Sequence, residues 1–438
     1  MTNYLSQYDQ APDQDKFPLV QKWMKTEPLP FFQQLREQRP ILVTPECTLL
    51  ALFTDICDAL QMPKIFTVDL YKPKMGVTET DPGYLMAHDD DALHYREKSL
   101  MQGFLNRDDL PRIRKLIAES SKDILKQANG QIEIVNQYCR MVPTVLVQKY
   151  FGLDGVPAQD LIRWSFWNQY DAFHNQPFDL NSPEKFKHIV NEHDKVTKEL
   201  QAYIKALLVR KLIYVKLTGM VKNPLRLVKK LFGCKTHHND DMVSRMLRSS
   251  MADEVDFGLL RVGVNAGGLL IGSIETTAQA VSQTIQYFIE RPNLLSKAKT
   301  AANLQDPTEF DGFVWEALRY VPISPYMFRQ LSQDYTLAKG TDRETTLQAG
   351  TNVLMLTQSA MFDEYAFSQP NEFNHKRNWY HHFNFGFGSH ECLGKYIGMV
   401  MLPEMVRQVL LQTNLKASSP MDYKNGPFPE SYPLAWSA

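Results

Sequence analysis

Residues 256–290 constrain the fold most strongly, because they have the pattern of one long helix. No proline interrupts this segment before Pro292, which is expected to end the helix. At 1.5 Å per residue, the helix would span roughly 50 Å, the width of a whole domain. Its first half and middle contain four closely spaced glycines, Gly263, Gly267, Gly268 and Gly272. Because each glycine costs about 1 kcal/mol relative to alanine, they predict a close approach to the helix backbone or a bulge in it.

Helical periodicity recurs elsewhere in the chain, whereas strand-like segments are short. Further helices are expected at 110–126, 186–212, 240–248 and 396–411. Short strands are expected at 40–43, 49–53, 336–337 and 352–356. No internal repeat, low-complexity tract or glycine/serine linker divides the chain. We therefore predict a mainly α fold with small β-sheets, in which residues 1–438 form a single domain.

Charge and cysteine usage exclude several classes of protein. The formal net charge is −1, which argues against a general nucleic-acid binder, and no nucleic-acid partner is expected. The five cysteines show no C-x-x-C spacing, so neither a structural zinc site nor a dithiol redox motif is predicted. The first thirty residues contain no long apolar run, so we expect neither a secretory signal nor an N-terminal anchor, and we place the protein in the cytoplasm.

The strongest local motif is the glycine-rich loop 385–394, which contains a single cysteine, Cys392. A helical run follows immediately, and a helix N-terminus stabilises a thiolate. The loop lacks the third glycine of a dinucleotide-binding fingerprint and the G-x-S-x-G frame of a nucleophile elbow. Cys392 is therefore a candidate axial iron ligand or nucleophile.

The pattern Phe385-x-x-Gly388-x-x-x-Cys392-x-Gly394 resembles the haem-thiolate loop of the cytochrome P450 family. Further motifs of that family occur in the correct order along nearly the whole chain. They are Glu316-x-x-Arg319, Arg377 in the segment before the cysteine loop, and Gly272-Ser-Ile-Glu275-Thr276-Thr277 in the long helix. The resemblance implies the cytochrome P450 fold and haem b, with Cys392 as the metal ligand.

The same resemblance assigns roles to residues on both faces of the haem. His94, Lys98, Arg329 and His390 would bind the propionates, and Glu316, Arg319 and Arg377 would form a buried structural cluster. Glu275 and Thr276 would relay protons for O–O cleavage. A pocket for substrate would be lined by Gly268, Ile271, Gly272, Pro325, Tyr326 and Met327, with Gly267 and Gly268 leaving room for the ligand.

Several positions depart from the family pattern, including Gly272 in place of alanine, Met361 and Phe362 in place of Asn-Arg, and Lys395 in place of alanine. Ser273 replaces a glycine of the central-helix motif, so hydrogen bonding in the groove there is expected to differ. Lys98 stands where the family usually has arginine, which keeps the charge and loses bidentate geometry. The neighbouring Arg96 could compensate for that loss.

The resemblance implies a monooxygenase that hydroxylates or oxidatively dealkylates a small apolar organic molecule. It would use O₂ and two electrons from a ferredoxin-type donor, which Lys376 and Lys395 could contact. A peroxygenase or peroxide isomerase on the same fold is an alternative enzyme. A haem-based gas or redox sensor is a non-enzyme alternative.

Residues 209–238 form a second unusual segment. They contain eight lysines and arginines, no acid, and many interleaved apolar residues. Such a segment predicts either peripheral contact with an anionic membrane or a solvated connection packed on the core.

Overall fold

The computed structural model describes residues 3–231, 241–251, 256–378 and 381–437. Helices dominate these residues, as predicted. The α-helices are α1 (Tyr4–Gln10), α2 (Asp13–Thr26), α3 (Pro28–Gln38), α4 (Phe53–Leu60), α5 (Ala92–Phe104), α6 (Leu110–Ala128), α7 (Met141–Leu146), α8 (Ala158–His174), α9 (Pro183–Leu231), α10 (Met242–Ser249), α11 (Leu259–Ser273), α12 (Glu275–Ile289), α13 (Pro292–Ala302), α14 (Thr308–Tyr320), α15 (Thr357–Ala360) and α16 (Lys395–Leu410). Two π-helical turns, Val135–Cys139 and Val147–Phe151, flank α7.

The strands are short and form small sheets. They are β1 (Ile41–Val43), β2 (Thr48–Leu50), β3 (Phe66–Thr67), β4 (Gln131–Glu133), β5 (Met327–Leu331), β6 (Tyr335–Leu337), β7 (Thr345–Leu347), β8 (Asn352–Met355), β9 (Lys416–Ala417) and β10 (Pro433–Ala435). A five-stranded sheet has the order β1-β2-β8-β5-β3, in which β2 and β8 pair in parallel and the other pairs are antiparallel. Smaller sheets have the orders β4-β10-β9 and β6-β7.

The segment predicted as one helix over 256–290 is two helices, α11 and α12, separated at Ile274. Ile274 has φ −92° and ψ −62°, so its backbone stays in the right-handed helical region although the regular helix is interrupted at this residue. The Ile271 carbonyl accepts hydrogen bonds from α8, from Gln169 Nε2 (2.7 Å) and Ser165 Oγ (3.2 Å). A carbonyl at a helix end needs such partners, so α8 stabilises the interruption.

The largest apolar core surrounds α11 and α12 and includes buried faces of α6, α10, α14 and α16. α16 packs along α6 and against α12 and α14, so the cysteine loop that precedes it is fixed to this core. α16 continues through Pro403. No helix within the described ranges is long and apolar enough to cross a membrane.

Candidate active site

The cysteine loop is held by backbone hydrogen bonds and by left-handed glycines. The Cys392 N–H donates to the Phe385 carbonyl (2.7 Å), and the Glu391 N–H donates to the Gly388 carbonyl (3.0 Å). Gly388 has φ +72°, and a Cβ on it would lie 2.9 Å from the Leu60 carbonyl oxygen. Only glycine meets both demands without strain. The loop geometry therefore depends on Gly388 as well as on the cysteine.

Phe385 anchors the other end of this loop between two helices. Its ring lies over Gly398 of α16, where a Cβ would approach it to 2.8 Å. The same ring lies 5.6 Å from the Trp315 ring of α14. This packing sets the position of the Phe385 carbonyl, which accepts the hydrogen bond from Cys392.

Cys392 combines two properties that rarely occur together. Its side chain is accessible, yet burial among protein atoms raises the pKa of its thiol. A backbone hydrogen bond from Gly394 and the ammonium of Lys98 act in the opposite direction on that pKa. An accessible sulfur that is surrounded by protein atoms indicates a thiol on the wall of an interior recess.

Imidazole and cationic groups cluster beside this thiol. His94 and Lys98 lie on one face of α5, where the Asp91 side chain caps the helix by accepting from the His94 N–H (2.8 Å). The His94 ring stacks on that of His390 at 4.9 Å. The Lys98 ammonium donates to the Ser389 carbonyl. Helix α5 is thereby attached to the cysteine loop.

Several polar groups in this cluster lack partners among the described residues. His94 is completely buried, and neither of its ring nitrogens has a hydrogen-bond partner there. Burial, followed by the neighbouring His390, lowers the pKa of His94 to about 4. Arg329 on β5 is buried, and its Nη1 donates to the carbonyl of the adjacent Phe328 (2.7 Å). Such unsatisfied donors fit an anionic ligand, and two propionates would satisfy them.

His390 has an acidic neighbour, and Arg96 does not join the cluster. His390 Nε2 lies 3.4 Å from Asp89 Oδ1, which opposes the effect of burial in lowering the pKa of His390. Arg96 Nη1 lies 2.9 Å from Asp256 Oδ2 instead. The suggestion that Arg96 compensates for the arginine missing at position 98 is therefore wrong.

Glu316, Arg319 and Arg377 lie together in the interior. Arg319 donates to Glu316 from Nη2 (2.7 Å) and Nε (3.0 Å), one turn along α14. Arg377 Nε lies 3.4 Å from Glu316 Oε1, and the Asn374 N–H donates to the same oxygen (3.0 Å). Arg319 Nη1 also donates to the Met361 carbonyl (3.0 Å). The cluster ties α14 to the segment that leads into the cysteine loop.

Glu275 and Thr276, adjacent in sequence, make different contacts at the start of α12. Thr276 Oγ1 donates to the Gly272 carbonyl (2.8 Å) across the helix interruption. Glu275 is buried and faces Arg140, whose Nε and Nη2 donate to its two oxygens at 2.9 Å each. Burial raises the pKa of the Glu275 carboxyl, while the Arg140 guanidinium acts in the opposite direction. Sequence reasoning did not identify Arg140, which is separated from Glu275 by 135 residues.

The predicted pocket residues do not share one environment. Among the described residues, and apart from the glycine's own helix and its chain neighbours, no atom lies within 4 Å of a Cβ built on Gly267 or Gly272. At Gly268, however, such a Cβ would lie 2.2 Å from the ring of Tyr84, so the prediction of open space beside Gly268 is wrong. Tyr84, from the loop before α5, is a further candidate pocket residue that sequence reasoning missed.

The other predicted pocket residues lie around the break and at the start of β5. Ile271 carries the carbonyl that α8 satisfies. Met327 Sδ lies 3.7 Å from the position of a Cβ on Gly386, next to the cysteine loop. Tyr326 instead contacts the Phe178 ring edge-on at 6.3 Å, and the Pro325 carbonyl accepts from the Gln358 N–H. Met327 thus lies against the cysteine loop at Gly386, whereas Tyr326 packs in a separate core cluster.

Comparison with known proteins identifies relatives of the whole arrangement. The Steroid C26-monooxygenase of Mycolicibacterium smegmatis is 22% identical over 400 residues, covering 87% of this chain and 86% of that protein. The 20-oxo-5-O-mycaminosyltylactone 23-monooxygenase of Streptomyces fradiae is 30% identical over 167 residues, 38% of this chain and 37% of that protein.

Solved structures share the fold at low sequence identity. The P450 heme domain of Tepidiphilus thermophilus superposes with a TM-score of 0.74 at 18% identity, covering 95% of this chain and 95% of that one. The family model described as Cytochrome P450 matches residues 77–427, a span that includes the cysteine loop, the long helix and the Glu316 cluster. The resemblance drawn from the motifs is thereby confirmed: this chain belongs to the cytochrome P450 family, whose members hold haem through a cysteine thiolate.

Proposed function

We propose that the protein is a haem-thiolate monooxygenase in which Cys392 ligates the iron of haem b. The observation that carries this proposal is the accessible Cys392 thiol in a loop whose neighbours include buried His94, with no hydrogen-bond partner for either ring nitrogen among the described residues, together with the buried cation Arg329. A macrocycle that presents iron to the thiol and two carboxylates to the cluster would satisfy both. The haem supplies O₂ activation, which thiolate ligation favours by donating electron density to the iron.

The residues of the cysteine face would hold and orient this group. The Gly394 backbone hydrogen bond favours the charged form of the Cys392 sulfur. His94, His390, Lys98 and Arg329 would bind the propionates through charge-assisted hydrogen bonds. The Glu316 cluster would have a structural role, since it fixes the segment that precedes the loop.

Thr276 and Glu275 would supply protons on the opposite face. The Thr276 hydroxyl bridges the helix interruption to Gly272, beside which there is open space. A hydroxyl there can hold a water and pass its proton onward. Glu275 is buried behind it on Arg140, so a proton reaching Thr276 from Glu275 requires the carboxylate to exchange its Arg140 partner for water. This pair favours O₂ chemistry with external electrons over the peroxide-driven alternative.

The substrate would be an apolar organic molecule that is hydroxylated or oxidatively dealkylated. Support comes from the relatives, whose names specify a steroid and a glycosylated macrolide as substrates. Gly267 and Gly272 would line the space for such a molecule, since no described atom outside their own helix lies within 4 Å of a Cβ at either position. The protein would act in the cytoplasm, with residues 1–438 as one domain.

Electrons would come from a ferredoxin-type donor that binds on the cysteine side. Lys376 is exposed and precedes the cysteine loop in the sequence. Lys395 directly follows the loop, but its Nζ lies 2.5 Å from Glu391 Oε1, so its charge is partly neutralised. Lys376 is therefore the stronger candidate for contact with an acidic carrier.

Spectroscopy of the reduced carbon-monoxide complex tests the ligand assignment. Cys392→Ser is expected to abolish the absorption band characteristic of thiolate ligation. The matched control Cys57→Ser, at a partly buried cysteine elsewhere, is expected to retain it. A band unchanged in Cys392→Ser overturns the assignment.

Turnover separates the two enzyme classes. We expect oxidation of an apolar ligand with NADH, a ferredoxin reductase and a ferredoxin. Turnover with hydrogen peroxide alone, and none with the electron-transfer chain, contradicts the monooxygenase proposal.

A further inference from the structure

The Arg140 guanidinium lies between two carboxylates that differ in exposure. Its Nε and Nη2 donate to Glu275, whereas its Nη1 donates to Glu430 Oε2 at 3.3 Å. The Glu275 side chain is 1% exposed, and that of Glu430 is 23% exposed. A single buried cation therefore pairs with one carboxylate in the interior and with a second one near the surface.

The two carboxylates bind different parts of this guanidinium. Within the described ranges, Nη1 donates to Glu430 and to Asn136 Oδ1 and makes no hydrogen bond to Glu275. Nη2 also donates to the Pro429 carbonyl at 3.3 Å. Arg140 would therefore keep three partners if the Glu275 side chain turned away from it.

Glu430 is held in place by contacts that do not involve Glu275. Its carbonyl accepts a hydrogen bond from Asn136 Nδ2 (2.9 Å), and its N–H donates to the Asp422 carbonyl (2.9 Å). The position of the Glu430 carboxylate beside Arg140 is thus set by the backbone of the C-terminal segment.

The charges of this group of three favour proton uptake by Glu275. With both carboxylates ionised, two negative charges share one positive charge in a buried place. A proton on Glu275 removes this excess and leaves Arg140 paired with Glu430. Without Glu430, the same proton would leave a buried guanidinium without a counter-ion, which is strongly unfavourable.

The surroundings of Glu275 agree with this charge balance. Burial raises the pKa of the Glu275 carboxyl most, Arg140 lowers it, and the charge of Glu430 raises it further. Among the described residues, these two are the charged groups that act on Glu275. Helix α8 adds no charge here, since it presents the Phe166 ring to the guanidinium at 5.4 Å.

We propose that Glu430 is a positioning residue, which keeps Arg140 paired when Glu275 leaves its ion pair. Glu275 can then exchange Arg140 for water while no buried charge is left without a partner. The consequence for catalysis rests on the proposed role of Glu275 in supplying protons to Thr276. The exchange of partners itself does not depend on that role.

A double-mutant cycle by urea unfolding of the holoprotein at about pH 7 tests this proposal. Glu275→Gln imitates the protonated carboxyl, so Arg140 keeps Glu430 in this variant and loses both carboxylates when Glu430→Gln is added. We expect the folding equilibrium constant of the double variant to lie at least about tenfold below the product of the two single effects. Glu430→Gln combined with Glu199→Gln is the matched control, because Glu199 pairs with Arg163. Independent effects of Glu275→Gln and Glu430→Gln overturn the proposal.

An infrared titration decides the question if the double variant does not fold. The band of the protonated Glu275 carboxyl is the one that Glu275→Gln removes. In Glu430→Gln its titration midpoint is expected to fall by about one pH unit, because Arg140 then pairs with Glu275 alone. An unchanged midpoint contradicts the role of Glu430. Neither measurement uses turnover, so a protein that is inactive with the electron-transfer chain would contradict the proposed function and not this role.

Discussion

Arg140 and Glu275 form a buried two-pronged ion pair that joins the π-helical turn before α7 to the start of α12. Arg140 Nε and Nη2 donate to Glu275 Oε1 and Oε2, each at 2.9 Å. Arg140 Nη1 also lies 3.3 Å from Glu430 Oε2, near the end of the chain. One guanidinium therefore holds the carboxylate next to Thr276 and connects it to the C-terminal region. This contact is expected to stabilise the start of α12. If Glu275 supplies protons as proposed, the contact also affects that supply.

Removing Arg140 is expected to lower the free energy of unfolding more than removing an exposed arginine that also pairs with a glutamate. Arg140→Gln leaves the buried Glu275 carboxylate without its charge partner, which costs about 3–5 kcal/mol. Arg163→Gln is the matched control, because Arg163 pairs with Glu199 where both side chains are more than a third exposed. That pair is expected to contribute only about 0–1 kcal/mol. Urea unfolding of the two variants measures the contrast, and similar losses in both would contradict it.

Glu275 is expected to affect catalysis more than haem binding. Glu275→Gln removes a titrating group while keeping hydrogen-bonding atoms at the same place. Product formation should fall about 100-fold, the range for loss of one acid–base group. The spectrum of the ferric protein and its ligand-induced spin-state change should stay as in the wild type. Turnover at the wild-type rate, or loss of haem from the mutant, would refute the assigned role.

Gly268 and Gly267 are expected to respond oppositely to alanine. In Gly268→Ala the new Cβ meets the Tyr84 ring, so strain of about 1–3 kcal/mol is expected. In Gly267→Ala nothing lies within 4 Å, and the better helix propensity should add about 0.5–1 kcal/mol of stability. Tyr84→Ala removes the obstructing ring. The double variant of Gly268→Ala with Tyr84→Ala should therefore lose less stability than the sum of the losses in the two single variants. A double-mutant cycle based on the free energies of unfolding in urea measures this difference.

Features that depend on neighbouring residues could be predicted from the sequence, whereas contacts between residues that are distant in the sequence could not. The helical class and most helix positions follow from periodicity, which neighbouring residues carry. The interruption at Ile274 was signalled only indirectly by the glycines, because its cause includes Gln169 and Ser165 on another helix. Arg140 opposite Glu275 and Tyr84 over Gly268 could not be found, since a single sequence does not record which distant residues meet. The predicted end of this helix at residue 212 was wrong, because α9 continues to Leu231. The predicted membrane contact through residues 209–238 stays a prediction, since the side chains of residues 217–238 lie outside the described residues.

Acid is expected to destabilise the protein partly through His174. Its ring lies in an aromatic environment, 5.1 Å from the Phe428 ring and 6.5 Å from that of Tyr170. Burial, followed by the charge of Lys185, lowers the pKa of His174 from 6.5 to about 4. Between these two values the unfolded chain binds more protons than the folded one. The stability that depends on neutral His174 is therefore complete above the unfolded value and is lost as the pH falls toward 4.

The variant His174→Phe keeps a ring in this environment and removes its titration. In the wild type, His174 should account for about 2 kcal/mol of the stability lost between about pH 7.5 and about pH 5. Urea unfolding at both values should show that much less pH dependence in His174→Phe, with the remaining loss coming from other buried histidines such as His382, whose pKa burial lowers to about 3. Identical pH dependence in His174→Phe and the wild type would contradict this prediction. It would show that His174 takes up protons equally in the folded and the unfolded chain, because only a difference in proton uptake makes stability depend on pH.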